Sequence, residues 1–198
     1  MSYITTVAPE EATGEVAAMY QADLNTQGYI ANYSKAFSLR PEVMAGCVAL
    51  NMSIKNSMDL RTYELATLGA ARELRSQYCS LAHGRVLATR FHTPEDVAAI
   101  AAGSDDAPLD DRDRAVLAYA AQVARDATTI TDSDIGNLRA RRLSDTEILE
   151  VTAAAAARCF FAKMLDALGA APDAALEQLD PMLKDALTAD GQPQGPGT

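Results

Sequence analysis

The sequence predicts an all-α protein, and three properties of its 198 residues favour this class. Apolar residues recur every three or four positions through most of the chain, whereas the strict alternation typical of β-strands is nearly absent. Helix start signals, such as the capping box at residues 144–147, precede several of these apolar repeats. Apolar residues make up 48% of the chain and tryptophan is absent, which favours a core of close-packed aliphatic side chains.

Most of the predicted helices begin at a proline or at a side chain that commonly caps helices. Gly28, Gly103 and Gly169 mark three of the breaks between them. In chain order, the predicted helices span residues 9–24, 34–39, 41–56, 60–74, 76–90, 94–102, 110–126, 131–141, 145–168 and 172–187. We therefore expect one all-helical domain over residues 1–190 and a disordered tail, rich in glycine and proline, over residues 191–198.

One segment of the chain is repeated later with a constant offset of 86 residues. Residues 63–72 match residues 149–158, and both segments place one Glu and one Arg in an alanine-rich helix. The same offset aligns Asp59 with Asp145, so we expect the N-caps of the two helices to coincide. The sequence thus predicts an internally duplicated helical core, with half-repeats at about residues 35–103 and 110–187.

The composition excludes several classes of function. A net charge of −10 and an isoelectric point near 4.6 argue against binding to nucleic acids or to anionic membranes. No apolar run approaches the roughly 20 residues that span a bilayer, and the N-terminal residues do not resemble a signal peptide. Three cysteines do not suggest a disulfide framework, so we expect a cytoplasmic protein with reduced thiols.

The chemically most informative segment, residues 76–83, carries a thiol and an imidazole at helical spacing. Cys79 and His83 are four positions apart and therefore share one face of a helix. Ser76 is a preferred N-cap, which places Cys79 in the first turn, where unpaired backbone N–H groups favour a thiolate. Cys79 is the candidate nucleophile and His83 the candidate base or acid. Glu64, in an apolar helix, would orient His83 or relay a proton.

A purely structural role is open for each of these three residues. Cys79 would then be a small buried apolar side chain, and His83 a surface or capping residue. Glu64 would pair with Arg61, Arg72 or another basic group.

The remaining residues of these types do not suggest a second site. The other two cysteines, Cys47 and Cys159, stand in apolar surroundings and are expected in the core. The spacing of the cysteine and histidine residues does not fit a zinc site, and no nucleotide-binding motif is present. We therefore expect neither a metal nor a cofactor.

At residues 64–83 the chain resembles the alkylhydroperoxidase D-like family, which is grouped with the carboxymuconolactone decarboxylases. The family pattern is a Glu, eleven intervening residues, and then Cys-x-x-Cys-x-x-x-His. Glu64, Ser76, Cys79 and His83 occupy these four positions. The similarity is greatest to a peroxidase-related branch of the family. It extends over about residues 9–185 and includes runs at residues 28–32, 36–42 and 78–84.

The resemblance implies an all-helical fold with a duplicated core, obligate homo-oligomers and thiol peroxidase chemistry. In the family, the second Cys attacks the hydroperoxide, the first resolves the product as a disulfide, and the Glu and His relay protons. Ser76 stands in place of the first Cys, so the resemblance implies a hydroperoxide reductase with a single reactive Cys79 and an external thiol or protein reductant. The alternative to an external thiol is a shift of Cys47 or Cys159 toward the oxidised Cys79. We expect Ser76 and Tyr78 to supply hydroxyl groups to the site.

Two other functions are compatible with the same residues. The protein would bind or transform a different small molecule, or it would act as a structural or redox-sensing oligomer. The pKa of the Cys79 thiol would distinguish the structural role from the other two functions. Turnover with an added reductant separates peroxide reduction from the alternatives.

Self-assembly is expected from the same apolar pattern. Alanine-rich helical faces and two apolar half-repeats leave apolar surface that one chain cannot cover, so we predict a homo-oligomer. Light scattering at micromolar concentration measures the mass directly, and a mass of one chain, 21.0 kDa, would contradict the prediction.

Overall fold

The computed structural model describes residues 2–189, in which ten α-helices and no β-strands occur. In chain order the helices are α1 (Gly14–Gln27), α2 (Asn32–Ala36), α3 (Pro41–Ser57), α4 (Leu60–Glu73), α5 (Gln77–Arg90), α6 (Pro94–Ala101), α7 (Asp111–Asp126), α8 (Asp132–Ala140), α9 (Asp145–Ala167) and α10 (Pro181–Thr188). The predicted all-α class is confirmed. The predicted disordered tail, residues 191–198, lies outside the described residues.

The first and the last of the predicted helices differ from those in the structure. The first predicted helix, 9–24, is a short 3₁₀ turn at Pro9–Glu11 followed by α1, which Gly28 ends in the left-handed conformation with a φ of 81°. The last predicted helix, 172–187, is wrong in its first half, because α10 begins only at Pro181.

Competing hydrogen bonds explain the late start of α10. The carboxylate of Asp173 accepts hydrogen bonds from the backbone N–H of Asn32 and from the hydroxyl of Tyr78, and these contacts tie the segment before α10 to α2 and α5. The actual N-cap is Asp180, whose side chain accepts from the backbone N–H groups of Met182 and Leu183. Local sequence alone does not reveal that Asp173 binds distant groups.

Helix α4 lies at the centre of the fold. Every residue from Thr62 to Ala71 is buried, so this helix has no solvent-exposed face over nearly three turns. It packs against α5, α7 and α9, which surround it. Small residues permit this close approach: at Gly69, the backbone of α7 passes so near that an added Cβ would lie 2.5 Å from the carbonyl oxygen of Leu117.

The two helices that carry the repeated segment, α4 and α9, continue differently. After α4 the chain breaks at Arg75, which has a φ of 57°, and restarts as α5. The corresponding part of α9 continues without a break to Ala167. The expected coincidence of the N-caps is wrong by one residue, because Asp59 caps α4 whereas Ser144, and not Asp145, caps α9.

Among residues 2–189, none of the helices combines the length and the apolar character required to cross a bilayer.

Because α4 and α7 touch at Gly69, we expect any side chain added there to destabilise the fold. We expect Gly69→Ala to lower the free energy of unfolding by about 1–3 kcal/mol, because the new methyl group must push a backbone carbonyl away. Gly136→Ala is the matched control: Gly136 lies exposed in α8, a methyl group added there would have no neighbouring atom within 4 Å, and we expect a gain of about 0.5–1 kcal/mol. Urea unfolding of both variants measures these changes, and equal effects would contradict the packing argument.

Candidate functional site

A cavity of about 300 Å³ lies between α3, α4, α5 and α9, and it contains most of the residues that the sequence singled out. Its walls are largely apolar, with Met44, Val48, Met52, Ala82 and Phe161 among them. The polar lining residues are Tyr33, Cys47, Asn51, Lys55, Tyr63, Tyr78, Cys79, His83 and Arg158. Val48, Met52 and Lys55 are partly exposed, which marks the side on which the cavity opens to the surface.

The break between α4 and α5 positions Cys79. The left-handed conformation of Arg75 turns the chain, and α5 begins at Gln77 with Cys79 as its third residue. Backbone N–H groups in this first turn have no intrahelical partner, so the site of Cys79 favours a negative charge. The thiol itself is buried, with 1% of the residue exposed, and it packs between Ala71 of α4 and Ala162 of α9.

Ser76 lies at the N-cap position of α5, as the sequence predicts, but its side chain does not cap the helix. Its hydroxyl donates instead to the carboxylate of Asp166 in α9, at 3.2 Å. Ser76 is fully buried and does not line the cavity, so its hydroxyl is not placed to act on a molecule bound there.

Glu64 and His83 form the polar centre of the site. Nδ1 of His83 lies 2.6 Å from Oε2 of Glu64 and 3.1 Å from the hydroxyl oxygen of Thr67. The Thr67 hydroxyl already donates to the carbonyl of Tyr63, so its oxygen accepts from the imidazole. Both neighbours of Nδ1 are therefore acceptors, which fixes the proton on Nδ1 and leaves the lone pair of Nε2 available.

The charge state of this pair follows from its surroundings. Burial lowers the pKa of His83 below its ordinary value, and the Arg158 guanidinium lowers it further, although Glu64 opposes both effects. Burial alone would raise the pKa of Glu64, but the hydrogen bond from His83 and the Lys55 ammonium outweigh it and hold the pKa low. At neutral pH, Glu64 is thus an anion beside a neutral imidazole that can accept a proton.

Glu64 has two ionisable partners, and one of them, Lys55, is a basic group of the kind that a purely structural role predicted. Arg61 pairs with Asp113, and Arg72 donates to the backbone carbonyl of Leu187. Glu64 binds His83 and, at 3.5 Å, Nζ of Lys55, whose side chain is 40% exposed. Glu64 therefore connects the buried imidazole to a cation near the opening of the cavity.

Arg158 places a positive charge directly beside the thiol. Its Nη1 donates to Sγ of Cys79 at 3.6 Å, and its guanidinium stacks over the ring of Phe161 at 5.5 Å. Arg158 is buried, its Nε has no hydrogen-bond partner, and within residues 2–189 it forms no ion pair with a carboxylate. The guanidinium therefore lies beside two ionisable side chains of the cavity, the Cys79 thiol and the Tyr63 hydroxyl, and a negative charge on either would be stabilised by it.

Tyr78 lines the cavity on the side of α2, where its ring contacts that of Tyr33 at 6.0 Å. Its hydroxyl donates to Asp173, and burial together with this carboxylate raises the pKa of Tyr78. Tyr33 is similarly affected, since burial above all raises its pKa to about 12. Both tyrosines are therefore neutral at physiological pH, and the hydroxyl proton of Tyr78 is already engaged.

Sequence patterns assign only Tyr78, Cys79 and His83 of the polar lining residues to the site, and three of the residues that they miss carry ionisable groups that bear on its chemistry. Arg158 stands out in the sequence only as the counterpart of Arg72 in the repeat, although an arginine inside an alanine-rich apolar helix is itself a signal of a buried charge. No local pattern distinguishes Lys55. Cys47 is buried in α3 as expected, but it lines the same cavity as Cys79, and its Sγ accepts a hydrogen bond from Asn51 at 3.3 Å.

Metal ligation finds no support in the geometry. Within the described part of the chain, no cluster of three or more His, Cys, Asp or Glu side chains could hold a metal ion.

The electrostatics of His83 can be measured directly. The chain has two histidines, so the variant His92→Gln leaves only His83 to observe by NMR. We expect its imidazole to titrate below the ordinary value of 6.5. Glu64→Gln should lower this pKa further, because it removes the carboxylate that opposes the effect of burial.

The matched control for that titration is Glu73→Gln. Glu73 lies on the same helix as Glu64 but pairs with Arg125 at 2.7 Å, so the His83 pKa should not change. A His83 pKa above 6.5, or one that rises in Glu64→Gln, would contradict the assigned geometry.

Comparisons with known proteins agree with the fold but give no close relative. No protein-family model matches the chain, and no curated protein is significantly similar to it in sequence. An uncharacterized peroxidase-related protein with an alkylhydroperoxidase AhpD core, from Ralstonia eutropha JMP134, superposes with a TM-score of 0.80 at 17% identity, covering 88% of this chain and 94% of that one.

Two further solved structures are similar. An uncharacterized peroxidase-related protein from Silicibacter sp. TM1040 has a TM-score of 0.75 at 19% identity, over 87% of this chain and 94% of its own. A cysteine-to-alanine variant of the debrominase Bmp8, in complex with 2,3,4-tribromopyrrole, has a TM-score of 0.73 at 15% identity, over 94% of this chain and 100% of its own. These likenesses confirm the predicted fold: the chain has the helical architecture of the alkylhydroperoxidase AhpD core.

Proposed function

We propose that this protein is an enzyme of the alkylhydroperoxidase D-like family that reduces hydroperoxides at Cys79. The observation that carries the proposal is the cavity in which the Arg158 guanidinium contacts the Cys79 thiol and the neutral imidazole of His83 lies one helical turn away. This arrangement favours the thiolate form of the cysteine and supplies a proton acceptor near it. The AhpD-like fold supports the proposal, because proteins described as peroxidase-related share it.

In the first step, Nε2 of His83 accepts the proton of Cys79, while Glu64 stabilises the resulting imidazolium through Nδ1. The thiolate, held by Arg158, attacks the terminal oxygen of the hydroperoxide. The S–O bond forms as the O–O bond breaks, and the departing alkoxide takes the proton back from His83. Sulfur is oxidised by two electrons to a sulfenic acid, and the hydroperoxide is reduced to an alcohol.

The cycle closes with an external thiol or protein reductant. Ser76 occupies the position from which a family cysteine would attack the sulfenic acid, and its hydroxyl is both unable to form a disulfide and directed toward Asp166. Two thiol equivalents return Cys79 to the reduced state with release of water.

We also propose that the protein acts as a homo-oligomer in the cytoplasm. Val48, Leu50 and Met52 are each about half exposed on α3, next to the opening of the cavity. This group of large apolar side chains on one surface helix supports burial against a second copy. An interface there would also narrow the access to Cys79.

A second candidate function is the thiol-dependent conversion of a halogenated aromatic compound. The debrominase Bmp8 has the same fold and was crystallised with 2,3,4-tribromopyrrole. The cavity here is larger than a small hydroperoxide requires, and the rings of Tyr33 and Phe161 line it. Both functions would use the same nucleophile, Cys79, and an external thiol, and they differ in the bond that is broken.

The decisive experiment combines turnover with mass spectrometry. With a small alkyl hydroperoxide and dithiothreitol, we expect the protein to consume peroxide and Cys79→Ser to lose this activity. Arg158→Met should slow oxidation of Cys79 by about tenfold or more, because a hydrogen bond to a charged group contributes about 1.5–3 kcal/mol. Arg90→Met, at the exposed end of α5, is the matched control and should not change the rate.

Three results would count against the site, the role of Arg158 or the reaction proposed here. Oxidation of Cys159 before Cys79 would contradict the site, and equal rates for Arg158→Met and the native chain would contradict the role of the guanidinium. Release of bromide from tribromopyrrole, without consumption of hydroperoxide, would favour the second candidate.

A further inference from the structure

Two of the three cysteines line the same cavity although they are far apart in sequence. Cys47 lies on α3 and Cys79 on α5, and both contribute to the wall of the 300 Å³ cavity. Cys47 is 6% exposed and Cys79 is 1% exposed, so a reagent reaches either thiol only through this space. Cys159, the third cysteine, is half-buried on α9 and does not line the cavity.

We propose that Cys47 is the resolving cysteine of this protein and forms a disulfide with Cys79 after oxidation. The inference rests on the proposed peroxide reduction and changes only the way in which the sulfenic acid of Cys79 is reduced. The external reductant would then act on a disulfide between α3 and α5 and not on a sulfenic acid. Cys47 would take the role for which Ser76 is unsuitable.

The disulfide forms with the hydroperoxide as the only oxidant. The hydroperoxide oxidises Cys79 to a sulfenic acid and leaves as the alcohol. Cys47 then loses its proton, and its sulfur attacks Sγ of Cys79, so that the S–S bond forms as the S–O bond breaks. The departing hydroxide accepts the proton from Cys47 and leaves as water. A dithiol reductant afterwards exchanges with the disulfide and restores both thiols.

Electrostatics give this sequence of events an order. In the reduced protein, burial above all raises the pKa of the Cys47 thiol, and the nearby charge of Cys79 adds to this effect. The Arg158 guanidinium and the hydrogen bond from Asn51 act in the opposite direction. Oxidation converts Cys79 into a neutral sulfenic acid, which removes the repulsion while Arg158 and Asn51 remain. Loss of the Cys79 charge therefore removes one of the effects that raise the pKa of Cys47, and this favours its attack on the oxidised Cys79.

The position of α3 allows the two sulfur atoms to approach each other. A disulfide requires Cα atoms within about 7 Å, and both cysteines face the same cavity, so any movement needed to meet this limit is one of α3 across that space. Val48, Leu50 and Met52 of α3 are each about half exposed, and a Cβ added at Gly46, next to Cys47, would have no neighbouring atom within 4 Å. A shift of this surface helix leaves the buried helix α4 in place.

The experiment uses the full chain with Cys159→Ser, which leaves only the two cavity thiols. The protein is treated with one equivalent of a small alkyl hydroperoxide, its remaining thiols are blocked, and its intact mass and peptides are measured. We expect a loss of two hydrogen atoms and a peptide pair that links residues 47 and 79. In Cys47→Ser and Cys47→Ala, the linked pair should be lost, and Cys79 should gain two or three oxygen atoms at excess peroxide.

The outcomes separate this inference from the function on which it rests. If Cys79 gains oxygen in the Cys159→Ser chain but no link to Cys47 forms, the resolving role is wrong and peroxide reduction stands. If Cys79 neither gains oxygen nor forms a link, both are wrong. Two different substitutions of Cys47 are made in case one of them disturbs folding. The variant whose circular dichroism and thermal unfolding match those of the native chain is the one whose oxidation products are compared. A linked pair that persists in the presence of excess dithiothreitol would also contradict the inference, since a resolving disulfide must be reducible.

Discussion

The contact between Arg158 and Cys79 determines the chemistry of the whole cavity. The buried guanidinium contacts the Cys79 thiol and the ring of Phe161, cannot lose its proton, and has no carboxylate partner in the described part of the chain. A negative charge that develops on the thiol is therefore stabilised where it forms. Burial above all lowers the pKa of His83, and the same cation lowers it further, which keeps the imidazole neutral and able to accept a proton. One buried charge thus acts on both the nucleophile and the base.

The break at Arg75 makes this contact possible. In α9 the repeated segment continues as one uninterrupted helix, so the side chains that follow Arg158 remain on that helix and form part of the core. In the first half, the left-handed residue starts a new helix, and the thiol enters the first turn of α5 opposite α9. The two halves share an alanine-rich helical segment with one Glu and one Arg, but only the first copy is followed by a thiol and an imidazole that line the cavity. The first half supplies Glu64, Cys79 and His83, while the second supplies Arg158.

The buried helix α4 holds this arrangement rigid. Its surface has no exposed side from Thr62 to Ala71, and its contact with α7 through Gly69 leaves no space for relative movement. Glu64 and Thr67 therefore hold the imidazole of His83 from a helix that is packed on all sides. Helix α3 differs from α4, because it carries exposed residues and also lines the cavity with Cys47 and Lys55.

Local spacing along the chain is enough to predict the fold class, most helix boundaries and the group of Glu64, Cys79 and His83. Periodicity and caps are properties of neighbouring residues, and a thiol and an imidazole four positions apart share a helix face in any helical protein. The distant groups that meet these residues become known only from the folded chain. Arg158 lies 79 positions from Cys79, Asp173 lies 95 positions from Tyr78, and Asp166 takes the hydroxyl of Ser76 away from the site. The packing of α3 and α9 around α4 and α5 determines which distant groups meet. No local sequence pattern reveals that packing.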